Sequence, residues 1–107
     1  MSNSSLIHLT VSLIQPKFSI EALTALADGP LRYSALVRIV TVTSGETVHP
    51  STLIDSLRKL QDNGILEHPT TDGDTAVYRL TPKGRDLVGL LRQVRAWGEA
   101  HNDSLDH

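Results

Sequence analysis

Between residues 50 and 82 the chain spells a helix start, a helix stop, a tight turn and a second helix start, in that order. Pro50 suits the first turn of a helix, where its missing N–H leaves no bond unmade. Leu53, Leu57 and Leu60, with Ile54 beside them, form an apolar stripe at helical spacing. Asn63-Gly64 supplies a left-handed stop, and Ile65 folds back as its apolar anchor. Leu66–Pro69 and Ala76–Leu80 read as strands joined by residues 70–74, whose Asp72-Gly73 pair is a strong hairpin signal. Thr81 as N-cap and Pro82 as first residue then open a last helix. It should reach His101, with Leu87, Leu90, Leu91, Val94 and Trp97 along one side.

Upstream, residues 4–14 carry Leu6, Ile7, Leu9, Leu13 and Ile14 at spacing compatible with a short helix, although Val11 lends a strand-like look. Pro16 ends or redirects that element. Phe18, Ala22, Leu23, Leu26 and Ala27 predict a second helix, stopped by Asp28-Gly29-Pro30. Residues 31–33 are a short extended link, and Ser34 is the expected cap of a helix running to about Val40. The β-branched run from Ile39 to Thr43 weakens helix propensity before a Ser44-Gly45 loop. Four helices, a hairpin and a long helix make the winged helix-turn-helix plan, mainly α within the α+β class.

The 107 residues are expected to form one domain. That length leaves no room for a separate catalytic or ligand-binding domain of ordinary size. With four aromatic residues (Phe18, Tyr33, Tyr78, Trp97), the core must be aliphatic. The lack of cysteine excludes disulfides, thiolate metal ligands and thiol-based redox sensing. Residues 1–5 are polar and uncharged, and the apolar stretch after them is broken by His8, Thr10 and Ser12. It reads as neither signal peptide nor membrane span, so a cytoplasmic protein is expected. No Gly-x-Ser-x-Gly elbow, Gly-rich phosphate loop or carboxylate pair suggests an enzyme. His101, Asp103 and His107, even with His8, match no closed metal site, and no cofactor is expected.

Several stretches resemble the HxlR-type winged helix regulators, with MarR and PadR regulators as broader relatives. Lys17-Phe18 through Asp28-Gly29-Pro30 resembles that family's opening helix, which begins Lys-Trp and ends Asp-Gly-Pro. Tyr33-Ser34-Ala35-Leu36 resembles its Phe-Ser-Glu-Leu helix start, and Leu53 through Leu66 its recognition helix and the turn after it. Tyr78-Arg79-Leu80-Thr81-Pro82-Lys83-Gly84-Arg85 is similar to its Tyr-x-Leu-Thr-x-x-Gly-Arg signature, and residues 96–101 to its Trp-containing end. The resemblance covers about residues 16–101. It implies a homodimer, held by residues 4–14 and 82–101, that binds operator DNA with paired recognition helices flanked by the wing within residues 17–80.

On that reading Ser51, Thr52, Asp55, Ser56 and Lys59 are the candidates for base edges, against the alternative of a solvated helix face. Arg32, Arg38, Arg58 and Arg79 are the candidates for phosphates, against ion pairing with Glu67 or Asp62. Leu6, Leu9, Leu13, Leu87, Leu91, Val94 and Trp97 are the expected dimer contacts. A small-molecule effector in the dimer cleft, beside Trp97, is compatible with the same arrangement.

The departures from the family concern charge. The formal charge is −2, and residues 29–95 carry nine basic and seven acidic side chains, a local balance of only +2. The connection between Val40 and His49 is longer than the family's usual turn, and His49-Pro50 replaces its usual Ser-Gln start. Ser51, Asp55 and Ser56 stand where the family often shows Lys, Gln and Arg, and the wing tip holds Asp72 and Asp74. The alternative is therefore a winged helix module for protein interaction or DNA mimicry that has lost strong DNA binding.

Overall fold

The computed structural model describes residues 3–69 and 75–105. Its first helix, α1 (Asn3–Ile14), settles the ambiguity around Val11 in favour of helix. Thr10 and Ser12, which break the apolar pattern, donate their hydroxyls back to the Leu6 and Leu9 carbonyls, so their polarity is met within the helix. The next helix, α2 (Ser19–Leu26), buries Ala22, Leu23 and Leu26. It ends at the expected turn, where Gly29 takes a positive φ that a side chain would resist.

The strand β1 (Leu31–Arg32) is followed directly by α3 (Tyr33–Ser44). Two expectations change here. The helix starts at Tyr33 with Arg32 at its cap position, so Ser34 lies in the first turn and does not cap it. It also runs on through the β-branched stretch to Ser44. Thr41 and Thr43 donate to the carbonyls of Val37 and Ile39 one turn back, while Leu36 and Val40 are held in the core. Gly45, at φ 71°, closes it.

Helix α4 (Pro50–Asp62) has the bounds its sequence predicts and buries Leu53, Leu57 and Leu60. Gly64 takes the left-handed conformation (φ 74°), and the Ile65 N–H returns to the Leu60 carbonyl at 2.9 Å. The wing differs from expectation. Its first predicted strand reduces to a bridge between Leu66 and Leu80 plus a bond from Glu67 N–H to the Arg79 carbonyl. The two-stranded antiparallel sheet instead pairs β1 with β2 (Val77–Tyr78), Leu31 opposite Tyr78 and Arg32 opposite Val77. The Asp72-Gly73 turn lies outside the described residues.

Thr81 caps α5 (Pro82–Ala100) as expected, its Oγ1 accepting from the Gly84 N–H at 3.0 Å. The same hydroxyl reaches the carbonyls of Gly64 and Ile65, and Lys83 Nζ donates to the Asn63 carbonyl at 2.8 Å. The end of α4 and the start of α5 are thus tied by several bonds. A short helix, α6 (Asn102–Leu105), follows. One aliphatic cluster, from Phe18 and Leu23 through Leu36, Leu53 and Leu57 to Leu80 and Val88, joins α2, α3, α4, the strands and α5.

Candidate nucleic-acid interface

Helix α4 has two chemically distinct faces. The inner face carries Leu53, Ser56, Leu57 and Leu60, all buried. Outside, Ser51, Asp55, Arg58, Lys59 and Asp62 are exposed, with Thr52 half-buried between the faces. Among the described residues neither Arg58 nor Lys59 has a side-chain ion pair within 4.0 Å.

Ser56 must be removed from the candidates for base contact. It is 4% exposed, and its Oγ donates to the Lys17 carbonyl oxygen at 2.7 Å. The reason is helical geometry. Positions 53, 56, 57 and 60 follow the i, i+3, i+4, i+7 repeat of a single face, so Ser56 shares the leucine stripe. That signal was present in the sequence, but a hydroxyl on an apolar face reads as exposed until its partner, 39 residues away, is seen.

The sheet turns two of the candidate arginines to the same side. Arg32 lies opposite Val77, and side chains alternate along a strand, so Arg32, Val77 and Arg79 share one face while Leu31 and Tyr78 turn to the core. Both arginines are exposed. Arg79 Nε lies 4.0 Å from Glu67 Oε1, a loose pair between half-exposed side chains that solvent screens strongly. Arg38 projects from α3 beside Ile39 and the exposed Val42, at a shallow hollow of about 290 Å³.

A second surface is apolar. Leu6 and Leu9 on α1, and Val94 (59% exposed) and Trp97 (58%) on α5, reach solvent together with Ile7, Val11 and Leu90. A groove of about 330 Å³ runs between the two helices. Three residues expected at a dimer contact lie deeper. Leu87 is 8% exposed and belongs to the core, and Leu13 and Leu91 are half-buried against it. Leu87 and Leu91 nevertheless form part of the floor of that groove, beneath the exposed Leu90 and Val94. The Trp97 ring stacks on His101 with centroids 4.5 Å apart, and His101 Nδ1 lies 2.9 Å from the Trp97 carbonyl oxygen.

Sequence reasoning missed Lys17 and Glu46. Lys17 Nζ lies 2.8 Å from Glu46 Oε1, joining the α1–α2 turn to the α3–α4 connection. No local pattern marks such a pair, because its members are brought together only by packing. Among the described residues no helix is long and apolar enough to cross a membrane.

Residues 13–106 match the model of the HxlR-like helix-turn-helix family. A transcriptional regulator assigned to the MarR family from Enterococcus faecalis V583 shares the fold, with a TM-score of 0.81 at 24% identity over 99% of this chain and 94% of that one. The redox regulator HypR in its reduced form is similar at 26% identity and a TM-score of 0.76, over 94% of this chain and 96% of its own. A transcriptional regulator from Clostridium thermocellum matches at 15% identity and a TM-score of 0.58, over 99% of this chain and 95% of its own. No curated protein matches the sequence.

Proposed function

The chain belongs to the HxlR-like helix-turn-helix family, and from that premise we propose that it is a homodimeric transcriptional regulator that sets α4 into the major groove of operator DNA. The family and the regulators it resembles support a DNA-binding regulator rather than an enzyme. The observation that carries the reading is the division of α4, whose leucines and Ser56 hold it to the body while Ser51, Asp55, Arg58 and Lys59 stay outside. Ser51, Thr52 and Asp55 lie in its first half, the part of a recognition helix that meets base edges. Asp55 accepts only, which suits a cytosine amine. Arg58 and Lys59, with Arg38 and with Arg32 and Arg79 beside the sheet, would position the phosphates.

The second surface supports dimerisation. Exposed apolar side chains on α1 and α5 around one groove favour a partner there, and the occupant that suits a helix-turn-helix is a second copy. Two copies related by a two-fold axis would present their α4 helices to half-sites about 34 Å apart. A small-molecule effector would sit in the dimer cleft beside Trp97; a cleft of about 400 Å³ between α2 and α5 of one subunit, lined by Ile20, Val88, Leu91 and Arg92 among others and not by Trp97, is a second place for one. A thiol-based redox response is unavailable to a chain without cysteine.

The test is selection of duplexes from a randomised pool by the purified protein, followed by binding measured across a salt series. Enrichment of a two-fold symmetric site with salt-dependent affinity is expected; no enrichment at low salt sinks the reading. Asp55 and Asp62 on the outer face of α4, with a net charge of −2, favour a second reading as a protein-interaction or DNA-mimicking module. Under that reading the protein competes with DNA for a basic partner instead of binding a duplex.

A further inference from the structure

Two parts of the helix-turn-helix reach the same residue. Ser56 Oγ, on the buried face of α4, donates to the Lys17 carbonyl oxygen at 2.7 Å. Glu46 Oε1, in the connection from α3 to α4, pairs with Lys17 Nζ at 2.8 Å. Lys17 lies in neither helix but in the turn from α1 to α2, and that turn is well held. Its neighbour Phe18 is buried and adopts φ 72°, a left-handed conformation that a bulky residue keeps only where its surroundings impose it. Lys17 Nζ lies 5.4 Å from the centroid of the Phe18 ring, and the N–H of Ser19 bonds to the Pro16 carbonyl across the turn.

The connection that Lys17 grips needs such a hold. After Gly45 the chain leaves α3, and Val48 is its half-buried contact with the core before His49 and Pro50 start α4 without a side-chain cap. Glu46, Thr47 and His49 are exposed.

We propose that Lys17 is a positioning residue for the recognition helix. Its side chain fixes where the α3–α4 connection runs, and its carbonyl fixes where the inner face of α4 sits. It does this without touching DNA. An exposed ion pair adds little to folding stability, and since Glu46 lies in the connection that leads into α4, the effect to look for is local, on the first turn where Ser51 and Thr52 lie. Because α1 ends at Ile14, just before this turn, the helix of the apolar surface and the helix of the groove meet at Lys17. The DNA arm of the proposal rests on the reading of α4 given above; the placement arm does not.

The experiment uses Lys17→Met, Glu46→Gln, and the exchanged pair Lys17→Glu with Glu46→Lys, in the full chain. In the absence of DNA, amide exchange over residues 46–52 is expected to speed up in both single variants and to return towards wild type in the exchanged pair, with melting temperature and oligomeric state unchanged. On the duplex selected by the wild-type protein, each single variant is expected to bind about twofold to fivefold more weakly with the same salt slope, and the exchanged pair to recover. Unchanged exchange over 46–52 overturns the proposal whether or not the protein binds DNA. A lower salt slope in Lys17→Met, with tighter binding by Glu46→Gln, also overturns it by making Lys17 a phosphate contact. Faster exchange together with no duplex enriched by the wild type leaves Lys17 positioning α4 and removes the DNA reading alone.

Discussion

Gly84, in the first turn of α5, lies so close to the carbonyl oxygen of Ile65 that a β-carbon added to it would overlap that oxygen. The contact is backbone against backbone, so no side-chain rotation relieves it. It lets the start of α5 press onto the end of α4, where Thr81 and Lys83 complete the joint. Gly84→Ala is expected to lose roughly 1–3 kcal/mol by overpacking, more than alanine's gain of about 1 kcal/mol in helix propensity. Gly89→Ala, on the same helix with nothing within 4 Å of the new carbon, is expected to be neutral or stabilising. Thermal melts of the two variants make the comparison.

Ser56 and Asp55 are adjacent but should fail in opposite ways. Ser56→Ala leaves the Lys17 carbonyl without its hydroxyl donor and is expected to cost about 1 kcal/mol, measured by urea unfolding, without changing the preferred duplex. Asp55→Ala, on the exposed face, should leave stability within about 0.5 kcal/mol of wild type. It should instead relax the sequence preference at one base pair of each half-site, read by repeating the duplex selection.

Arg58 gives the clearest electrostatic test. If it neutralises a phosphate, Arg58→Ala weakens binding to all sequences alike and lowers the salt slope by about 1 per protomer. Arg58→Lys keeps the charge and should keep the slope. An unaltered slope in Arg58→Ala removes this residue from the phosphate contacts.

Val94 and Leu87 lie two turns apart on α5 and separate assembly from folding. Val94→Glu places a charge on the exposed apolar surface and should yield a folded monomer by light scattering, with DNA affinity falling sharply because the half-sites are no longer bound together. Leu87→Ala removes core packing and should cost about 2–5 kcal/mol, lowering the melting temperature before it alters assembly.

How legible all this was in the sequence depended on the range of the physics. Thr81-Pro82, Pro50 and Asn63-Gly64 act on the groups of a single helix turn, through a missing N–H, a side-chain cap or a positive φ. The bounds of α4 and the start of α5 therefore follow from the residues themselves, as does the order of elements that makes the fold. The leucine stripe of α4 and the cysteine-free composition are equally local facts, and they set which face turns inward and which chemistry is closed to the chain. Partner choice is another matter. That β2 pairs with β1 instead of a full first wing strand, that Ser56 turns inward to Lys17, and that Leu87 is spent on the core while Val94 is left outside, were settled only on packing. Each depends on residues far apart in the chain, whose meeting is set by the collapse of the whole aliphatic core and not by any spacing within one element.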